Sequence, residues 1–362
     1  MLSIVIPGKK TGLIYIIMHC LKKGIMPVFI LAAVFLSGDR SPLFSNIVID
    51  KSLKEKIIGR DLEYLCDDGG ILGLSDVMSP GLRQKWLKSR TETLGFGFTD
   101  SVYWVRFTAT NPTAEDLDFI LVQNYPLINH LILFSPGTDG KFTSIEVGRV
   151  KPFDARPIRN RKFAIPLSIK AGSELTYYVR QETTSSMNIV LSVWSPGSFD
   201  DAAMREYQLL MLYYGIIAVM FIYNLCLFLF IRRLEYLYYP LFIMGQNGTA
   251  FQYLWPDYPS WGIYFIPFSL CLLVIFAFLF TDAFLDLKKN NIRQSRILFR
   301  FIFPTVFTVT TLCLFLPYRY AMIISAVTAG LSVCYGIYIG MLLFIQKVRN
   351  AYFYVISWFL FL

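Results

Sequence analysis

Four long apolar stretches, at residues 209–231, 261–281, 297–316 and 320–345, constrain this chain more than any other feature. Each is long enough to cross a bilayer, whose hydrocarbon core takes about 20 helical residues. Segments this apolar satisfy their backbone polar groups in lipid only as helices or closed barrels, and runs of this length read as helices. Residues 234–255 are interrupted by GQNGTAFQ, yet their length suits another crossing, and residues 351–362 begin a further one. All of these lie beyond Leu209, so the overall composition, 55% hydrophobic and 16% charged, averages two unlike halves. The first half reads as soluble and the second as membrane-embedded.

The charges set the orientation. Arg232 and Arg233 follow the first helix, Lys288, Lys289, Arg293, Arg296 and Arg300 lie between or beside the third and fourth, and Lys347 and Arg349 follow the fifth. The alternate loops, WPDYPSW and PYRY, hold one basic residue, Arg319. By the positive-inside rule the first, third and fifth helices run towards the cytoplasm and the preceding domain is outside. The net charge of +9 is thereby explained by loop asymmetry, and no nucleic-acid partner is expected. Ionisable groups are nearly absent from the apolar runs: Asp282, Asp286 and Arg300 sit near helix ends, and Asn224 is a polar group suited to bonding another helix. Ion and proton carriers need acids or bases within the membrane, so transport is disfavoured.

Residues 1–38 carry an export signal. Lys22 and Lys23 form its basic end, residues 25–36 its apolar stretch, and Ser37-Gly38 a small-residue cleavage site, with Met18 a candidate start. An uncleaved signal anchor is the alternative. His19 stands where a lipoprotein signal needs a small residue, which argues against lipidation of Cys20. A linker over 39–57 and an exported domain over 58–196 are expected to follow.

That domain reads as all-β. Residues 101–111, 116–123, 129–136, 142–147, 162–169, 174–181 and 187–194 alternate apolar and polar, and the segments between are rich in Gly, Pro, Asn and Asp. Short strands without a long amphipathic helix predict a β-sandwich, specifically a jelly roll. The fold class is therefore mixed: an all-β jelly-roll sandwich followed by an all-α membrane bundle over 205–362.

Alternation also assigns faces. Tyr103, Val105 and Phe107 share one face with Val102, Trp104, Arg106 and Thr108 opposite; Leu175, Tyr177 and Val179 share another, with Tyr178 and Arg180 opposite. Two strands thus set an aromatic beside an arginine on their less apolar side. Trp104, Arg106, Tyr178 and Arg180 are candidate ligand residues, a pattern suited to sugar stacking or an anionic glycan. The plainer reading, favoured by the residue types, has the arginine stems packed over the rings on a solvated face. Arg156, Arg159 and Arg161 in RPIRNR form a second candidate anion site, against which stands a solvated loop entering the next strand.

Catalytic and metal chemistry find little support. The six cysteines leave only Cys66 in the exported domain, so no internal disulfide forms there. His19 and His130 stand far apart, no Cys/His cluster has metal-ligand spacing, and no catalytic constellation is present. No cofactor and no enzymatic activity are expected of these residues.

GFTDSVYWVRFTATNPT, YPLINHLILFSPGTDG and RPIRNRKFAIPL resemble the second type of extracellular domain in bacterial seven-transmembrane receptors with diverse intracellular signalling modules, the DISM family. REYQLLMLYYGIIAVMFIYNLCLFL, EYLYYPLF, NGTAFQYLWPD and LFLPYR resemble that family's membrane region, in the same order. The resemblance covers about residues 58–362, with helix two shorter than in the family. It implies a periplasmic jelly-roll sensor, akin to carbohydrate-binding modules, on a seven-helix unit in the inner membrane. It further implies a cytoplasmic output module such as a histidine kinase or a cyclase. Twelve helical residues at 351–362 span about 18 Å, short of the roughly 30 Å core. The sixth helix is thus expected to be incomplete at Leu362 and the output module to lie beyond it. The expected function is a receptor that senses a periplasmic ligand, a carbohydrate being one candidate; a homodimer is a candidate assembly. A membrane-anchored glycan-binding or adhesion protein is the alternative.

Overall fold

The computed structural model describes residues 46–137, 140–234, 236, 238 and 257–361. The export signal expected over 1–38 lies outside the described residues, as does the helix expected over 234–255 apart from three positions.

Among the described residues thirteen short strands build the first domain. They are β1 (Asn46–Val48), β2 (Glu55–Ile57), β3 (Glu63–Asp67), β4 (Leu87–Lys88), β5 (Leu94–Phe98), β6 (Val102–Thr110) and β7 (Leu117–Gln123). There follow β8 (His130–Pro136), β9 (Phe142–Val147), β10 (Phe163–Ile169), β11 (Glu174–Glu182), β12 (Ser186–Ile189) and β13 (Leu191–Trp194). The larger sheet runs β4-β3-β6-β11-β8-β9, with β1 parallel to β6. The smaller runs β10-β7-β13-β2, and β12 pairs with β5. Apart from β1–β6 these pairings are antiparallel. The two sheets form a β-sandwich. Within the stretch expected to be a linker, β1 and β2 join the two sheets. The single strand expected over 187–194 is two strands. The Gln123 side chain accepts the Val190 amide at 3.0 Å, and Asn124 donates its backbone N–H to the Val190 carbonyl at 2.9 Å. Side-chain and backbone partners outside the strand ladder thus let the chain leave the β5 pair for the smaller sheet.

The core follows the alternation. Val105, Phe107, Tyr177 and Val179 from the larger sheet meet Phe119, Leu121, Phe163 and Val193 from the smaller, all buried. Tyr177 stacks on Phe107 at 5.2 Å and meets Phe119 edge-on at 5.9 Å, so one ring joins the sheets. Burial pushes its hydroxyl pKa up to about 12. Each large apolar side chain so buried contributes about 1.5–3 kcal/mol.

Beyond a short helix α1 (Leu74–Met78) in the sandwich, the helices are α2 (Pro196–Ile231), α3 (Pro259–Phe284), α4 (Leu287–Asn290), α5 (Ile292–Leu312), α6 (Tyr318–Ile345) and α7 (Arg349–Phe361). Among the described residues α2, α3, α5 and α6 are long and apolar enough to cross a membrane. Helix α5 passes through a π-helical turn, Leu298–Ile302, before Pro304, which has no N–H to give to the preceding turn. Val274 and Phe278 of α3, Leu298 and Val306 of α5, Ile339 and Leu343 of α6, and Tyr354 of α7 form the bundle core. Polar bonds pin it: Tyr335 donates to Gln294 Oε1 at 2.7 Å, and the Thr281 and Tyr354 hydroxyls lie 2.9 Å apart. Asn224, expected to reach another helix, donates to the Met220 carbonyl of its own at 2.8 Å.

Candidate functional site

The face of the larger sheet that carries Trp104 and Tyr178 is covered, where the sequence suggested a solvated surface. Residues 72–86, including α1, fold over it: Leu72, Leu74, Val77, Leu82 and Trp86 pack on Leu65, Val102, Trp104 and Tyr178. The pairing register sets Arg106 opposite Tyr178 and Arg180 opposite Trp104. Trp104 is 1% exposed and stacks on Phe134 at 5.6 Å. Tyr178 meets the edges of Trp86 and Phe142. The Arg106 guanidinium lies 4.4 Å from the Trp86 ring centroid and bonds Glu63 at 2.6 Å, and Arg180 bonds Glu182 at 3.1 Å. These four residues do come together, as alternation required, but beneath a lid of their own chain. The arginine stacking anticipated for a solvated face is present for Arg106, on the Trp86 ring of the covering segment.

RPIRNR separates into three roles. Arg156 is buried, lies over the rings of Phe153 and Phe163, and donates to the carbonyls of Asn160 and Arg161 at 2.6 and 2.9 Å. Burial lowers its pKa to about 10, which leaves it charged at neutral pH. Arg159 is 71% exposed and reaches Asp154. Arg161, with Lys162 at 2.9 Å, grips Glu206 of α2.

That last contact belongs to a dock that sequence reading did not anticipate. At 36 residues α2 is about 54 Å long, well over the thickness of a bilayer core. Its first turns stand outside the lipid and lie on the smaller sheet, where Phe199 is buried among Ile120, Val122 and Ala164 and meets Trp194 edge-on. SPGSFDDAAMREYQ, which reads as a short link, is the root of the helix. Its legible signals were Ser-Pro, a helix start, and an acid just before an apolar run.

A second dock joins the sandwich to α6. Arg149, in the turn after β9, sits with its guanidinium 4.4 Å from the Tyr318 ring centroid, and Asp100 reaches Arg319 at 3.4 Å. The turn is held by Glu146, which bonds Lys151 at 2.6 Å and His130 at 2.9 Å. These partners, Lys151 first, hold its carboxyl below the usual range against a smaller opposing effect of burial. Gly148 is required here because a Cβ would lie 1.9 Å from the Asn129 carbonyl oxygen. Both docked helix starts, of α2 and α6, therefore face the sandwich, the end that loop charge assigned to the outside. Among the described residues no group of His, Cys, Asp and Glu could hold a metal ion.

Comparison with the curated proteins gives no match. Two family models match, one described as 7TMR-DISM extracellular 2 over residues 59–195 and one as 7TM diverse intracellular signalling over residues 206–362. The boundary between them falls within the docked root of α2. A β-sandwich matching the extracellular model, rooted on membrane helices matching the other, makes this chain a member of the seven-transmembrane receptors with diverse intracellular signalling modules.

Proposed function

We propose that the chain senses an envelope ligand through a periplasmic jelly-roll sandwich and passes the occupancy to the membrane helices through the two docks. The observation that carries this reading is that the sandwich grips α2 and α6 at separate places. Helix α2 is held on the smaller sheet and α6 beside turns of the larger, so a shift of one sheet against the other would move one helix start relative to the other. The matched domains are not catalytic in themselves, and on this reading the helices bias a cytoplasmic output module in the bacterial inner membrane. A carbohydrate fits the aromatic and arginine residues Trp104, Arg106, Tyr178 and Arg180, which it would meet once residues 72–86 swing away. Arg159 and Arg161 lie apart from these four, paired with Asp154 and with Glu206 of α2.

Fusing a reporter kinase or cyclase module behind the membrane region tests this. Glu206→Lys sets a cation against Arg161 and Lys162 and is expected to shift basal output several-fold, while Lys170→Gln, at an exposed ion pair with Asp116 away from both docks, leaves it unchanged. Wild-type output from membrane-inserted Glu206→Lys, across all envelope conditions tried, would refute coupling through this dock.

A further inference from the structure

We infer that Arg149, Tyr318 and Arg319 form a binding site for the phosphodiester of an anionic phospholipid at the outer mouth of the helix bundle. Arg149 is 6% exposed, yet among the described residues its guanidinium bonds only neutral groups, Asn129 Oδ1 at 2.7 Å and Thr184 Oγ1 at 3.1 Å. Its Nη1 is buried with no hydrogen-bond partner among the described residues, and so is the Tyr318 hydroxyl on the ring beneath it. A buried cation without a counter-ion is costly, and a buried N–H without an acceptor adds to that cost.

The surroundings deepen the shortage of negative charge. Tyr318 opens the 28-residue helix α6, whose first turn has no acidic residue and no side-chain cap. Its first amides and the positive end of its dipole therefore face the same corner as Arg149 and Arg319. Two arginines at a helix N-terminus oppose the dipole instead of complementing it. Among the described residues the carboxylate that answers Arg319, Asp100, is 88% exposed and 3.4 Å away, a pair weakened by solvent. Two buried donors without an acceptor, Arg149 Nη1 and the Tyr318 hydroxyl, thus sit together at the first turn of α6, where Arg319 is the next residue, a donor set suited to the oxygens of a phosphate.

The position selects lipid over a free anion. Helix α6 is a membrane span that begins at Tyr318, so the corner stands at headgroup depth. Tyr320, on the same first turn, is exposed, as interfacial aromatic residues are. This inference goes beyond the sensing role and stands if that role fails.

The full chain, purified and placed in bilayer discs of phosphatidylcholine with or without phosphatidylglycerol, tests it by thermal midpoint and by native mass spectrometry of retained lipid. Phosphatidylglycerol is expected to raise the midpoint and to remain bound, and Arg149→Gln or Arg319→Gln to weaken its retention about tenfold each. Arg293→Gln, in the first turn of α5 among the basic residues of the opposite end, is expected to leave retention as in wild type. Arg319 is a surface residue, so its variant decides the matter if Arg149→Gln does not fold. Equal midpoints and retention in both lipids, or loss with Arg293→Gln alone, would overturn the site; a midpoint gain reproduced by millimolar inorganic phosphate in phosphatidylcholine discs would overturn the lipid as its occupant.

Discussion

Single side chains at the sandwich surface carry more than their exposure suggests. Arg156→Ala removes the donor to two carbonyls and the packing over Phe153 and Phe163, and is expected to cost about 2–3 kcal/mol. Thermal unfolding of the detergent-purified chain, followed by tryptophan fluorescence, measures that loss. Gly148→Ala pushes a methyl into the Asn129 carbonyl and should both destabilise the turn and move Arg149 off Tyr318. Glu146 supplies a pH dependence. Its folded pKa lies below its ordinary value of 4.5, so its contribution is present above that value and is lost as pH falls through the folded pKa. Glu146→Gln should flatten stability below about pH 4.5 and lower it at neutral pH, seen as converging thermal midpoints of variant and wild type on acidification.

At the scale of elements, residues 72–86 act as a lid whose keystone is Trp86, which donates Nε1–H to the Val77 carbonyl at 3.3 Å and covers Tyr178. Trp86→Ala is expected to cost about 3–5 kcal/mol and to expose Trp104, read as quenching of Trp104 emission by iodide. The lid was hard to read because its parts are short: α1 has five residues and β4 two, too few for either periodicity to register. The strands from β6 onwards were legible because they alternate over four to nine residues with turn residues between. LGFGF in β5 hid behind its glycines, which carry no side chain to mark a face. In the bundle, Gly340 lets α7 close on α6, since a Cβ there would lie 2.8 Å from the Tyr354 ring. Gly340→Leu should part these helices and abolish the Thr281–Tyr354 contact, measurable as a longer distance between spin labels at Ser332 and Ser357.

For the molecule as a whole, the division into a sandwich and a set of membrane helices was written in the chain, because it rests on composition. Runs of some 20 apolar residues have one stable solvent, and alternation over short runs has one stable geometry. The expected orientation rests on the same kind of signal, since it depends on counts of lysine and arginine in loops and on no contact. The docks were not legible. Phe199 meets Val122, Glu206 meets Lys162 and Arg149 meets Tyr318 only after both sheets and two helices are in place. The lid turned a candidate sugar-stacking face into an interior for the same reason, as a face is solvated only if nothing distant in sequence covers it. Local pattern tells which side of an element is apolar and how long it runs. Which element lies against that side is decided by packing between residues far apart in the chain, and the sites argued here, Arg149 with Tyr318 above all, exist only at that level.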